Sequence, residues 1–261
     1  MTGAVPTVAL GAEDSPRIPL LGFGTWQARG EEVYNAVRTA LDVGYRHIDT
    51  ATMYGNEAQV GRAVADSGID RADLFVTTKC PPDHVGREEE TLDASLRDLG
   101  LDHVDLWLVH WPPHTGATPE MWEKFVEAQQ TGRARSIGVS NYSPAEIDEL
   151  IDATGVAPAI DQIPWSPADH DPDLVAALRD RGVVLEGYSP FKRTDMGAPA
   201  LAAVAQAHDV TPQQVVVRWH LQHGFVVIPK SVHADRIAAN FDVLDLELSS
   251  AEMDSLDALG A

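Results

Sequence analysis

Four side chains in the first 110 residues are of types that can move a proton onto an oxygen: Asp49, Tyr54, Lys79 and His110. Each stands at, or just past, the end of a short apolar run. Asp49 closes "RHID", and Tyr54 follows five residues later within "YRHIDTATMYGNE" (45–57). Lys79 closes "LFVTTK" and His110 closes "VDLWLVH". A lysine at the end of an apolar strand costs free energy if buried unpaired, and Asp49 on the neighbouring strand can pair with it. A phenol beside that ammonium has its anion favoured, so its pKa is expected to fall from about 10. A tyrosine tuned in this way can donate a proton at neutral pH, while His110 hydrogen-bonds the substrate oxygen. The set suits protonation of a developing alkoxide. Taken singly, each residue has a plainer reading: a structural ion pair, a packed loop tyrosine, a satisfied buried imidazole. Their conjunction on adjacent strand ends favours the acid–base device.

Something must hold those strand ends side by side. Eight strand-like runs occur: 19–25, 46–50, 74–79, 104–110, 135–140, 159–163, 183–189 and 225–231. Between them lie amphipathic runs with apolar residues three and four apart, such as "EEVYNAVRTALDVG" and "SPAEIDELIDATG". Several begin after Ser, Thr or Asp and end at Gly, as helices do. Asn56 is expected to cap the helix that begins after Tyr54. Near-continuous apolar strands alternating with helices indicate a parallel sheet covered on both faces. Eight such units in 261 residues predict an α/β fold, a closed (β/α)8 barrel forming one domain over residues 1–261. An N-terminal hairpin is expected over 5–20, and extra helices over 190–225. In such a barrel chemistry sits where strands end at their C-termini. That rule adds Ser140, Asn141, Gln162, Tyr188, Lys230 and Ser231 to the candidates.

Bulk composition narrows the function classes. Nineteen basic residues against 40 acidic ones give a net charge of −21, which disfavours nucleic acid and anionic membranes as partners. Only four lysines are present, so cations clustered at one place carry information. Nothing is long and apolar enough to span a membrane. The N-terminus lacks the basic and apolar regions of a signal peptide, so a cytoplasmic protein is expected. The single cysteine, Cys80, excludes an intramolecular disulfide. His220 and His223 have no evident third ligand, and no metal site is expected.

Several segments, in order, resemble the aldo-keto reductase family: "GFGTW" (22–26), "GYRHIDTATMYGNE" (44–57), "TTK" (77–79), "LVHWP" (108–112), "IGVSNY" (137–142), "DQI" (161–163), "GYSP" (187–190), "IPKSVHADRIAAN" (228–240) and "LSSAEMDSL" (248–256). The resemblance spans nearly the whole chain. It implies a (β/α)8 barrel that reduces aldehydes and ketones with NAD(P)H. It makes Tyr54 the proton donor, with Lys79 and Asp49 tuning it and His110 orienting the carbonyl. It implies that Ser140, Asn141 and Gln162 hold the nicotinamide carboxamide and that Tyr188 stacks on the ring. Thr25, Trp26, Ser189 and Val232 join the cofactor-binding set on the same ground. Trp26, Met53 and Trp111 are implied to line the substrate pocket.

The phosphate end of the cofactor can be argued from charge. Lys230, Ser231, Arg236 and Asn240 fall at the last strand end and the helix after it. Two cations near a helix start suit a 2′-phosphate, which favours NADPH, with NADH the less favoured alternative. No G-x-G-x-x-G follows a strand, so the cofactor must be held by barrel loops. The sequence departs from the family pattern at Asp161, Pro164 and Ser166, at Ala239, at Cys80 and Pro81, and at Phe191 and Lys192; Lys192 or Arg193 could add a pyrophosphate contact. The sequence ends at Ala261, where longer relatives continue into a loop over the substrate, so a short, bacterial-type member with an open pocket is expected. The expected partner is a small-molecule carbonyl compound, and a monomer is expected. The rival readings are an NADPH-binding regulatory or sensor barrel with little turnover, and an unrelated barrel isomerase or lyase with a lysine base.

Overall fold

A computed structural model describes residues 4–12, 14–114 and 116–260. Ala261, on which the short-tail expectation rests, lies outside them. The first two strands, β1 (Thr7–Ala9) and β2 (Arg17–Pro19), form the expected antiparallel hairpin, with Val8 opposite Ile18. Eight strands follow: β3 (Phe23–Gly24), β4 (His47–Asp49), β5 (Phe75–Cys80), β6 (Val104–Val109), β7 (Ala134–Ser140), β8 (Ile160–Pro164), β9 (Val184–Tyr188) and β10 (Val226–Val227). All pair in parallel with their sequence neighbours. The sheet closes on itself through a parallel bridge between Leu21 and Val227, reinforced by Gly22 N–H to Val227 O at 2.9 Å. The (β/α)8 barrel read from the sequence is therefore the fold, hairpin included.

Strands β5 and β6 are buried at every residue, which is why they read as continuous apolar runs. Strands β3 and β10 are only two residues each, shorter than the runs that announced them. The chain passes very close to its neighbours at this seam. A Cβ on Gly22 would stand 2.3 Å from His47 Nδ1, so only glycine fits.

The outer layer comprises α1 (Gly30–Val43), α2 (Glu57–Asp66), α3 (Glu88–Leu99), α4 (Pro119–Gln130), α5 (Pro144–Thr154), α6 (Pro172–Asp180), α7 (Pro199–Ala207), α8 (Pro212–His223), α9 (Ala234–Phe241) and α10 (Ser250–Asp257). Helix α1 buries Val33, Ala36, Val37, Ala40 and Leu41, the three-and-four spacing of one helical stripe. Capping boxes start α5 (Ser143 with Glu146), α8 (Thr211 with Gln214) and α10 (Ser249 with Glu252). Helices α7 and α8 both fall between β9 and β10, so the extra helix expected over 190–225 is there.

Helix α2 reaches the barrel by packing its backbone on the end of α3. A Cβ on Gly61 would lie 2.3 Å from Leu99 O, which is main chain and cannot swing away. Gly61→Ala is expected to destabilise the fold by about 1–3 kcal/mol. Urea unfolding monitored by circular dichroism measures this.

Candidate active site

The barrel register sets the strand ends in a rising row. Asp49 pairs with Thr77, Lys79 with Leu108, and Ser140 with Gln162. Thr25 N–H donates to Asp49 O at 3.1 Å, His110 N–H to Cys80 O at 2.9 Å and Asn141 N–H to Gln162 O at 3.1 Å. These ladder bonds bring residues from six strands to one mouth.

At the centre is a buried ion pair. Lys79 Nζ, wholly shielded from solvent, donates to both Asp49 carboxylate oxygens at 2.7 Å and to Thr50 O at 2.9 Å. Burial is the largest single influence on the ammonium pKa and pulls it down, but the surrounding charges and hydrogen bonds, Asp49's first among them, together outweigh it and the net direction is up. Asp49 is held from elsewhere too: Gln162 Nε2–H donates to its Oδ2 at 2.9 Å, and Thr25 Oγ1–H to its backbone oxygen at 2.9 Å.

Tyr54 ends a single 3₁₀ turn, Thr52–Tyr54, that folds the ring back over Lys79, whose Nζ lies 5.1 Å from the ring centroid. The ring meets His110 edge-on at 5.6 Å. The expectation that the phenol pKa falls is corrected here. Burial is the largest influence and raises it; Lys79's charge and hydrogen bond lower it, but the net direction is up. The phenol is thus held protonated. Burial, with Lys79's charge adding, pushes the His110 imidazole down to about 3, so it is neutral at physiological pH.

Asn56 also departs from expectation. It occupies the cap position of α2 but makes no side-chain cap bond. Its Nδ2 donates to Thr25 O and Ala28 O, each at 3.0 Å, and its Oδ1 accepts from Thr50 Oγ1 at 2.7 Å. It ties the loop after β3 to the loop carrying Tyr54.

A chain of bonds continues round the mouth. Tyr188 O–H donates to Asn141 Oδ1 at 2.9 Å, Asn141 Nδ2–H to Ser140 Oγ at 2.9 Å, and Ser140 Oγ–H to Gln162 O at 2.7 Å. A cavity of about 490 Å³ opens above it. Of the residues read from the sequence, it is lined by Trp26, Asp49, Met53, Tyr54, His110, Trp111, Ser140, Asn141, Gln162, Tyr188, Ser189 and Lys230. Lys79 and Thr25 lie beneath it. Ser231, Val232, Arg236 and Asn240 follow Lys230 outside the lining, with Arg236 exposed in the first turn of α9. Lys230 and Arg236 have no hydrogen-bond or ion-pair partner among the described residues. Met53, Trp111 and Trp26 are 59%, 46% and 43% exposed, so the rim is open and apolar. Gln27, Asn141 and Ser189, all in the lining, have φ of 63°, 65° and 54°. Non-glycine residues hold this left-handed conformation at a cost of about 1 kcal/mol or more, and such strain gathers at functional sites.

Several further contacts and buried groups at the mouth and beneath it were not read from the sequence. Lys192 Nζ sits 4.5 Å from the Trp26 ring centroid, bridging the loops after β3 and β9. Beneath the ion pair, Glu186 is fully buried with His47 Nε2 at 3.9 Å. Burial, then the Asp49 charge, pushes Glu186 up to about 8, and burial pushes His47 down to about 3. Both are neutral at physiological pH. A glutamate mid-strand in "VLEGY" was the available signal. Asp161 is also fully buried, and burial pushes it up to about 8. His220 turns inward, with Nδ1 2.7 Å from Val216 O and Nε2 3.2 Å from Trp165 O, so it does not pair with His223 as a chelate.

Residues 20–261 match the model of the Aldo/keto reductase family. A morphine 6-dehydrogenase from Pseudomonas putida is 41% identical, over 99% of this chain and 93% of that protein. The crystal structure of an aldo/keto reductase from Brucella melitensis superposes with a TM-score of 0.94 at 40% identity, covering 99% of both chains. An aldo-keto reductase from Bombyx mori, solved in complex with NADP, superposes with a TM-score of 0.88 at 34% identity, covering 98% of this chain and 93% of that one.

Two outcomes follow from the buried groups. Asp49→Ala leaves the Lys79 ammonium buried without its counter-ion, and a loss of about 3–5 kcal/mol in urea unfolding is expected. Glu186 and Asp161 bind protons more tightly folded than unfolded. Their contribution to stability is full below the ordinary carboxylate range and is lost as pH rises towards about 8. Unfolding free energies measured across that window should fall, and Glu186→Gln should flatten the fall.

Proposed function

The chain belongs to the aldo/keto reductase family, an NAD(P)H-dependent oxidoreductase family, and on that premise we propose that it reduces small aldehydes and ketones to alcohols with NADPH, using Tyr54 as the proton donor. The observation that carries this reading is the buried Lys79–Asp49 pair with the Tyr54 ring over the ammonium and the His110 ring against it. Bound NADPH would supply the hydride to the carbonyl carbon.

The protein's own groups account for the rest. Tyr54, held protonated by burial, donates its phenolic proton to the carbonyl oxygen as negative charge grows there. Lys79 stabilises the phenolate left behind, and Asp49 keeps Lys79 charged and in position. Neutral His110 donates a ring N–H to the same oxygen and fixes which way the carbonyl points. Ser140 and Asn141 offer a hydroxyl and an amide to the nicotinamide carboxamide, and Gln162, committed to Asp49 through Nε2, joins them. Tyr188 presents its ring to the nicotinamide. Thr25, Trp26, Ser189 and Val232 complete the cofactor's surroundings. The preference for NADPH rests on two cations without a hydrogen-bond or ion-pair partner among the described residues, Lys230 and Arg236, at the last strand end and the first turn of α9, in a chain of net charge −21. Ser231 and Asn240 flank them. Trp26, Met53 and Trp111 face the substrate, and their exposure suits varied carbonyl compounds. One domain over 1–261 is our reading, because the core residues form one connected cluster.

Tyr54→Phe is expected to lower kcat by about 10²–10⁴-fold while NADPH binding, read by fluorescence titration, changes little. Retention of most activity in that variant would overturn the assignment. A panel of aldehydes and ketones assayed with NADPH and NADH side by side checks the rest. Tight NADPH binding with no turnover on any of them would favour the sensor reading instead.

A further inference from the structure

Outside the residues that line the barrel mouth, three potential metal ligands converge from three separate elements. His170 follows the turn Pro167–Asp169, His223 is the last residue of α8, and Asp257 is the last residue of α10. We propose that His170, His223 and Asp257 form a site for one divalent cation of the zinc class, clamping the end of α10 to α8 and to the turn before α6. The proposal is independent of the carbonyl-reduction reading.

The spacing carries it. One ligand atom from each residue lies within 4.8 Å of the other two. His223 Nε2 is 2.9 Å from Asp257 Oδ1, and His170 Nδ1 is 3.7 Å from the same oxygen. Metal bonds of about 2.0–2.2 Å in a tetrahedral site put neighbouring ligand atoms about 3.3–3.6 Å apart. The two measured separations bracket that range, so small side-chain shifts would complete three of four positions, leaving the fourth for water.

The ligands are also held in orientation. The His170 ring stands edge-on to Trp219 at 5.6 Å, and the His223 ring stacks on Phe225 at 5.0 Å. Trp219 Nε1–H donates to Asp257 Oδ1 at 2.6 Å. Outer hydrogen bonds of this kind fix metal-binding carboxylates and raise affinity. The side chains of His170, His223 and Asp257 are 11%, 23% and 26% exposed, sheltered yet open to an ion. Two imidazoles and one carboxylate suit Zn²⁺, Co²⁺ or Ni²⁺ rather than Mg²⁺ or Ca²⁺, which prefer all-oxygen sites. On binding, the His223 ring proton resides on Nδ1. Nε2 then gives its lone pair to the ion in place of the hydrogen bond to Asp257.

Tag-free protein, stripped with a chelator, is titrated with ZnCl₂ by calorimetry and with CoCl₂ by visible absorption. Melting temperatures are taken with and without zinc. One equivalent per chain, Co²⁺ bands of a low-coordinate N/O site and a higher melting temperature are expected. His170→Ala and His223→Gln should each weaken binding by about tenfold or more, and together abolish it. His223→Gln preserves bulk and hydrogen bonding, so unchanged circular dichroism with lost binding separates ligation from folding. Absence of zinc binding in the unsubstituted protein, or equal binding in the double variant, overturns the proposal.

Discussion

The ammonium of Lys79 sits inside the barrel with no exposure, and much else follows from keeping it there. A charge so placed must have a counter-charge within hydrogen-bond reach and its remaining protons satisfied. Asp49 supplies the first and Thr50 O the second. That arrangement requires β4 and β5 to be parallel neighbours in the register that sets Asp49 beside Thr77. It also explains why Gln162 and Thr25 lean on Asp49 from the far side of the barrel and from the seam. A residue that must not move is held at its carboxylate by Lys79 and Gln162 and at its backbone oxygen by Thr25.

Burial then decides which of the surrounding groups carry charge. Tyr54 keeps its proton, His110 and His47 stay neutral, and Glu186 is protonated. The consequence is electrical economy: one cation balanced by one anion, inside an envelope of neutral dipoles. A second ionised carboxylate at Glu186 would compete with Tyr54 for the field of Lys79. Desolvation prevents this without any direct bond to the catalytic groups.

Much of the site was legible because buried parallel strands are so uniformly apolar. Against such a background Asp49, Lys79, His110 and Gln162 stand out by type alone, and eight repeats of the pattern leave few folds to choose from. What escaped did so for physical reasons. The direction of the Tyr54 shift depends on how deeply neighbouring chains bury the ring, which spacing does not report. Asn56 occupies a cap position, yet its amide is claimed by carbonyls 28 and 31 residues away in sequence. Glu186 lies mid-strand and His47 opens β4, places where a polar residue reads as a surface face until the barrel closes. His223 lacked companions because the side chains near it come from residues 170 and 257. The contact between Lys192 and the Trp26 ring likewise joins residues 166 apart in sequence, on loops that only β10 separates.

The rim and the floor of the mouth differ in how freely they can vary. Asp49, Lys79 and Gln162 are wedged into the load-carrying interior, so altering any of them threatens the whole fold. Trp26, Met53 and Trp111 project in part into water at the rim, with Lys192 over the Trp26 ring. Random substitution over generations would therefore be filtered unequally: harshly at the floor, mildly at the rim. A lineage descended from this scaffold can change its diet quickly while its reaction stays put.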